Sequence, residues 1–211
     1  MAAPTQPEPA LDAALKRLAR IDPDLRRAVK LCGPLPDRRR PPGYATLLQA
    51  IVGQQVSVAA AAAIWQRVNE AGAHDPARLR AMDDDALKAC GLSRPKMRYA
   101  RALAEAVAAG TLDFDALHAH DDATAIAALS ALPGIGRWTA EIYLLFALGR
   151  TDVWPAQDLA LQAAVQHLKG MRSRPDVKRM DRLAEPWRPH RGVAARLLWR
   201  YYGLTKQKAM P

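Results

Sequence analysis

The spacing of apolar residues along this chain predicts helices from one end to the other. Leu11, Leu15 and Leu18 recur at intervals of three and four positions, which places them on one face of a helix. Similar spacing recurs in later segments, at residues 44–52, 56–68, 95–109, 137–148, 159–168 and 191–202. No segment alternates apolar and polar residues over the length of a strand. The pattern therefore predicts an all-α fold.

Polar and helix-breaking residues mark where these helices begin and end. Asp22 followed by Pro23 is typical of a helix N-cap and first helical position. Gly53-Gln54-Gln55 interrupts the apolar pattern between two helices, and Arg174-Pro175 is interpreted as the start of a helix that ends near Ala184. We expect a disordered tail over residues 1–10, one helical domain over 11–203 and a C-terminal tail over 204–211.

Positive charge is unevenly distributed along the chain, and this distribution gives information about the binding partner. The chain has 31 basic and 21 acidic residues, a net charge of +10. Residues 169–208 contain twelve Lys and Arg but three Asp and Glu, which accounts for nearly all of that excess. Such asymmetry indicates a face that meets a polyanion. The alternative is a basic helix surface that contacts only solvent.

Other features of the composition argue against several classes of protein. No apolar run is long enough to span a membrane, and the N-terminus lacks the pattern of a signal peptide. Cys32 and Cys90 have no partners at metal-ligand spacing, and His118 and His120 do not share a helix face. We therefore expect an intracellular protein of the cytoplasm or nucleoid, with no catalytic metal and no iron–sulfur cluster.

A glycine-rich turn precedes the helix predicted at residues 137–148. The turn reads Leu132-Pro-Gly-Ile-Gly136, and Gly134 and Gly136 can take positive φ values without steric cost. Free N–H groups and the dipole at a helix N-terminus attract anions. The turn, with Arg137 and Thr139 behind it, is therefore interpreted as a cradle for one phosphate.

Four stretches together resemble a known family. A Leu-Pro-Gly-Ile-Gly hairpin followed by Pro155 and Asp158 is similar to the helix-hairpin-helix/Gly-Pro-Asp DNA glycosylases. Three further stretches resemble the AlkA-type DNA-3-methyladenine glycosylase II branch: Ala50–Ser57, Gly91-Leu92-Ser93 with Lys96, and Trp187–Arg191 with Trp199. The resemblance extends from about Tyr44 to Gly203. It implies two helical lobes that flank a cleft, with a helix-hairpin-helix motif over residues 126–149.

The resemblance also implies roles for particular side chains. Asp158 matches the catalytic aspartate of the family, although an ordinary helix N-cap is the simpler interpretation of its position. Trp138 and Trp199 match aromatic residues of the pocket that receives the flipped base, and Tyr143 and Trp154 are further candidates for it. An aromatic pocket attracts cationic bases such as 3-methyladenine and 7-methylguanine.

The expected partner is double-stranded DNA that contains damaged bases, bound by a monomer. The resemblance assigns DNA contacts to the hairpin residues and to the Gln54, Gln55 and Ser57 segment, where Gln55 matches the wedge that enters the duplex. In related hairpins, backbone carbonyl groups hold a monovalent cation.

The expected chemistry is hydrolytic excision of the base during base excision repair. A carboxylate such as that of Asp158 stabilises positive charge on the sugar and activates water. Relatives that also cut the strand carry a Lys where this chain has Trp138, so no lyase activity is expected. Two alternatives stay open: a glycosylase for uracil or hypoxanthine, and a DNA-binding module without enzymatic activity.

Overall fold

The computed structural model describes residues 9–208, which form thirteen α-helices and one short 3-10 helix, and no strand lies in that range. The prediction of an all-α fold is therefore confirmed. The chain divides into two compact units: a first unit formed by residues 9–39 and 149–208, and a second unit formed by residues 40–148.

Amphipathic helices build the first unit. Its elements are α1 Pro9–Ile21, α2 Pro23–Cys32, α11 Leu159–Leu168, α12 Val177–Ala184, a 3-10 helix Glu185–Trp187 and α13 Arg191–Lys208. Helix α13 packs against α1, α2 and α11. These helices enclose a hydrophobic core, and removal of its large apolar side chains from water stabilises the unit. The side chains buried completely or almost completely include Leu18, Leu25, Leu161, Met180, Trp187 and Leu197.

A buried ionic network lies in the first unit. Asp22 is the N-cap of α2, and its side chain accepts hydrogen bonds from Lys169 Nζ at 2.9 Å and from Trp187 Nε1 at 3.0 Å. Lys169 also pairs with Asp24 at 3.0 Å. Because Lys169 follows α11 directly, the network ties the start of α2 to the end of α11 and to the 3-10 helix.

The second unit has eight helices that alternate with short turns. They are α3 Tyr44–Gly53, α4 Val58–Glu70, α5 Pro76–Ala81, α6 Asp84–Ala89, α7 Arg94–Ala108, α8 Phe114–Ala119, α9 Asp122–Ser130 and α10 Arg137–Phe146. Helix α7 packs on α3, α5 and α6, and α10 packs on α9 and α3. Helices α9 and α10 flank the glycine-rich turn, so the predicted helix-hairpin-helix is present.

Several helix boundaries differ from the prediction. Helix α13 does not end at Tyr202 but continues to Lys208, and within it the Thr205 hydroxyl donates to the carbonyl groups of Tyr201 and Tyr202. Helix α12 begins at Val177, because Asp176 and not Arg174 is its cap.

The two predicted tails are only partly described. Helix α1 already includes Pro9 and Ala10, and α13 includes residues 204–208, so these parts of the predicted tails are helical. The remaining predictions for 1–8 and 209–211 lie outside the described residues. The domain bounds 11–203 stay a prediction.

Candidate active site and hairpin

Asp158 caps the N-terminus of α11. Its Oδ1 atom accepts a hydrogen bond from the backbone N–H of Leu161 at 2.8 Å, and its own N–H donates to the Pro155 carbonyl at 2.9 Å. The turn that begins at Pro155 thus sets the position of the carboxylate. The capping interpretation is confirmed, and a cap of this kind leaves the residue available for chemistry as well.

The indole of Trp199 holds the same carboxylate. Its Nε1–H donates to Asp158 Oδ1 at 3.1 Å, from α13, which packs on α11. Trp199 is half-buried. The residue that the resemblance assigned to the base pocket therefore also fixes the orientation of the predicted catalytic group.

A second carboxylate anchors the loop before Asp158. Asp152 accepts hydrogen bonds from Arg191 Nε at 3.0 Å and Arg191 Nη2 at 2.9 Å, and from Arg188 Nη1 at 2.8 Å. The carbonyl of Thr151 accepts from the Gly192 N–H at 2.7 Å. A forked guanidinium–carboxylate pair has defined geometry, so the loop is fixed to the start of α13, the helix that carries Trp199.

Each of the two units also exposes a large apolar side chain near one of the predicted site residues or at one of them. Leu159, which follows Asp158 directly, is 65% exposed, and Trp138 in the first turn of α10 is 44% exposed. The exposure of Leu159 could not be predicted, because the amphipathic pattern does not distinguish it from the other apolar residues of α11.

Tyr143 and Trp154 occupy interior positions instead. The Tyr143 hydroxyl accepts the Gly43 N–H at 2.8 Å, its ring is 3% exposed, and burial raises the pKa of this phenol. Trp154 is 6% exposed and packs edge-on against Trp187, with 5.5 Å between the ring centroids. These positions argue against the predicted pocket roles, since both rings are used for packing.

The hairpin turn has one constrained glycine and one unconstrained glycine. Gly134 has φ +84°, and a Cβ atom there would lie 2.3 Å from Cγ of Tyr99 on α7. Gly136, the N-cap of α10, has φ −82°, and a Cβ there would meet no atom within 4 Å. Gly134 therefore uses the conformational freedom of glycine, while Gly136 has an extended conformation that any residue adopts.

The glutamine segment between α3 and α4 contacts the hairpin. Gln54 Nε2 donates to the Gly134 carbonyl at 2.8 Å. Gln55 is exposed and has φ +55°, an unusual conformation for a residue with a side chain. Ser57 caps α4 by accepting the Ala60 N–H at 3.2 Å. Of the three predicted DNA-contacting residues in this segment, the structure thus ties Gln54 to the hairpin and exposes Gln55.

Of two further hairpin residues, Arg137 has a partner within α10 and Thr139 lies in the interior. Arg137 Nε pairs with Glu141 Oε1 at 2.8 Å. Thr139 is 6% exposed. Burial of Thr139 does not support the predicted contact between its hydroxyl and a phosphate, because that contact requires an accessible oxygen.

A pocket of about 620 Å³ lies beside the hairpin within the second unit. Its lining combines hairpin residues with the glutamine segment and the start of α7, among them Gln54, Gln55, Ser93, Lys96, Tyr99 and Gly134. The Lys96 ammonium donates to the Val52 carbonyl at 2.8 Å, and burial lowers its pKa. Sequence reasoning missed these contacts, because Lys96 and Val52 are distant in the chain.

The monovalent cation expected at the hairpin stays a prediction. Ser130, Leu132 and Ile135 line the pocket, and the Leu132 carbonyl accepts the Ile135 N–H at 3.1 Å. The Gly134 carbonyl is already engaged by Gln54. Within residues 9–208, no three His, Cys, Asp or Glu side chains lie together as metal ligands, and no helix is long and apolar enough to cross a bilayer.

Comparison with known proteins gives concordant matches. Residues 48–189 match the model of the HhH-GPD superfamily base excision DNA repair proteins. The chain is 31% identical over 191 residues to DNA-3-methyladenine glycosylase 1 of Schizosaccharomyces pombe, and the match covers 87% of this chain and 84% of that protein.

Solved structures agree with the sequence matches. The S. pombe 3-methyladenine DNA glycosylase in complex with abasic DNA aligns with TM-score 0.80 and 31% identity, over 89% of this chain and 95% of that one. A DNA-3-methyladenine glycosidase from Bacillus halodurans aligns with TM-score 0.83 and 33% identity, over 92% and 91% of the two chains.

Proposed function

This chain belongs to the HhH-GPD superfamily of base excision DNA repair proteins, and on that premise we propose that it is a DNA glycosylase that hydrolytically removes alkylated purines. The substrates are duplexes with 3-methyladenine or 7-methylguanine type lesions, bound by a monomer inside the cell. The S. pombe relative and the two solved structures compared above are named as 3-methyladenine glycosylases or glycosidases.

The observation that carries the proposal is the Asp158 carboxylate. It follows Pro155 as the family pattern requires, and its Oδ1 is held by the Leu161 N–H and the Trp199 indole. Departure of a base leaves positive charge on the sugar, as in glycoside hydrolysis. A carboxylate in fixed orientation stabilises that charge and orients the attacking water without reorganisation.

Alkylated purines suit a site of this composition. These bases carry positive charge before excision, so they leave without a strong general acid. On the second unit, the exposed ring of Trp138 offers an aromatic surface for a flipped base. Stacking of a cationic base on an indole contributes roughly 1–2 kcal/mol when the site is desolvated.

The hairpin binds DNA in this proposal. The N–H groups of the first turn of α10 donate hydrogen bonds to the oxygens of a phosphate, where Gly136 leaves open space. A monovalent cation held by carbonyl groups of the turn would add positive charge at that phosphate.

The test is a panel of duplexes with one modified base each, incubated with purified protein and scored for abasic sites. Excision of 3-methyladenine or 7-methylguanine, with uracil and hypoxanthine duplexes left intact, supports the proposal. Preferred excision of uracil or hypoxanthine would instead assign the alternative specificity. Binding without excision of any base would indicate a DNA-binding module.

A further inference from the structure

Positive charge in the second unit is concentrated in one segment. The unit has ten Lys and Arg against eleven Asp and Glu, a net charge of −1. Residues 86–104 nevertheless contain no acidic residue and five basic ones, namely Lys88, Arg94, Lys96, Arg98 and Arg101. The hairpin therefore belongs to a unit that is acidic outside this segment, and the segment includes most of α7.

The start of α7 is fixed directly to the hairpin. The ring of Tyr99 packs on Gly134 so closely that a Cβ at Gly134 would lie 2.3 Å from it. Lys96 donates to the last turn of α3 through the Val52 carbonyl, and Gln54, which follows α3, donates to Gly134. The first half of α7 and the phosphate-binding turn thus form one continuous surface within this unit.

Two arginines in the first half of α7 lack anionic partners among the described residues. Arg94 and Arg98 are exposed, and in the part of the chain that the structure describes neither forms an ion pair. Arg98 lies over the Tyr99 ring, with its Cζ 5.2 Å from the ring centroid. By contrast, Arg101 of the same helix pairs with Asp84 at 2.8 Å.

The placement of these charges is electrostatically unfavourable in the protein alone. The first turn of α7 contains no acidic residue, although negative charge is what stabilises a helix N-terminus. Arg94 lies in that turn. An anion at this surface would offset the repulsion between Arg94, Lys96 and the helix dipole.

We propose that Arg94 and Arg98 form a second DNA-contact surface, which binds backbone phosphates of the duplex next to the phosphate held by the hairpin. Charge complementarity and continuity with the hairpin select the sugar–phosphate backbone as the occupant. Contacts of this kind position the duplex and do not depend on base sequence. The inference rests on the proposed function only in that the substrate is duplex DNA.

The test uses an undamaged, fluorescently labelled duplex of about two helical turns and measures Kd by anisotropy across salt concentrations. Each lost phosphate contact reduces the slope of log K against log salt by about 1. Arg94→Gln and Arg98→Gln are expected to reduce it by about 1 each, and the double variant by about 2. Lys88→Gln is the matched control, since it removes an exposed, unpaired charge from the same segment but not from the pocket or α7, and it is expected to keep the wild-type slope.

Conservative variants separate a contact from a folding defect. Arg94→Lys with Arg98→Lys keeps both charges and is expected to keep the slope, with an unchanged Tm. A double Gln variant with the wild-type slope would overturn the proposal, and so would an equal loss in Lys88→Gln, which would indicate general charge effects. Because the probe is undamaged, failure of wild-type protein to excise alkylpurines would overturn the proposed function and leave this measurement intact.

Discussion

At the scale of single residues, the candidate site depends on hydrogen bonds that reach Asp158 from two directions. The Leu161 N–H belongs to α11, the helix that Asp158 caps. The Trp199 indole belongs to α13 and lies 41 residues after Asp158 in the chain. The first bond could be predicted from the sequence, since an Asp before an apolar helix is a common cap. The second bond could not be predicted, because nothing in the spacing of two distant residues shows that their side chains meet.

Replacement of the carboxylate is expected to separate chemistry from binding. Asp158→Asn keeps the size of the side chain and an oxygen for the cap, but it removes the charge that stabilises the sugar cation. We expect single-turnover excision to fall by about 10²-fold or more, while affinity for an abasic-site duplex changes little. Excision within a few-fold of wild type would assign the chemistry to another residue.

Trp199→Phe is the companion variant, because it keeps an aromatic ring and removes the N–H donor. Loss of one hydrogen bond to a charged group corresponds to roughly 1.5–3 kcal/mol, so excision is expected to fall about tenfold or more. The same assay shows whether the indole acts through Asp158: combined with Asp158→Asn, the Trp199→Phe change is expected to have little further effect. Full additivity of the two changes would contradict that coupling.

The identity of residue 138 predicts the product of the reaction. Trp138 offers no amine, and Arg137 beside it stays protonated and pairs with Glu141. The expected product is an intact strand with an abasic site, which breaks only after hot alkali treatment. Borohydride reduction during the reaction is expected to trap no protein–DNA adduct, and a stable adduct would reveal a nucleophilic lysine.

At the scale of helices and turns, the apolar periodicity predicted the elements better than their ends. The break at Gly53–Gln55 and the hairpin before α10 follow from local signals. The end of α13 at Lys208 could not be predicted from local signals, since the Gly at position 203 usually indicates that a helix ends there. The ion pairs of Asp152 could not be predicted either, because Arg188 and Arg191 lie 36 and 39 residues away in the chain.

The two hairpin glycines are expected to respond differently to the same substitution. Gly134→Ala places a Cβ against the Tyr99 ring at a φ of +84°, so we expect a loss of stability of about 1–3 kcal/mol. Gly136→Ala meets open space at φ −82°, so its expected loss of stability is smaller and is limited to the weaker N-cap preference of Ala. Thermal melting of both variants is the measurement, and equal Tm values would contradict the packing between α7 and the turn.

At the scale of the whole molecule, acid stability is expected to depend on the buried Asp22 network. Burial alone raises the pKa of Asp22, but the hydrogen bond and charge of Lys169, with the Leu25 and Trp187 donors, bring it below its ordinary value near 3.8. A carboxyl group whose pKa is lower in the folded state contributes stability above its unfolded pKa. That stability is lost as pH falls through the folded pKa.

The corresponding measurement is the free energy of unfolding between pH 6 and pH 3. Wild-type protein is expected to lose stability below about pH 4 in part through Asp22. Asp22→Asn is expected to be less stable at pH 6 and to show a flatter profile, since it has no proton to bind at this position. Parallel profiles for the two proteins would indicate that other carboxyl groups determine the acid transition.

The first unit is built from two separated stretches of chain, while the second is a single continuous segment from residue 40 to residue 148. During synthesis, all residues of the second unit emerge from the ribosome before the C-terminal stretch of the first unit. The second unit can therefore form its contacts before the first unit is complete. The first unit, which contains Asp158, cannot form all its contacts until α13 is synthesised, because α13 supplies both Arg191 and Trp199. A chain that ends before α13 would therefore contain the whole hairpin but lack the donors that hold Asp152 and Asp158.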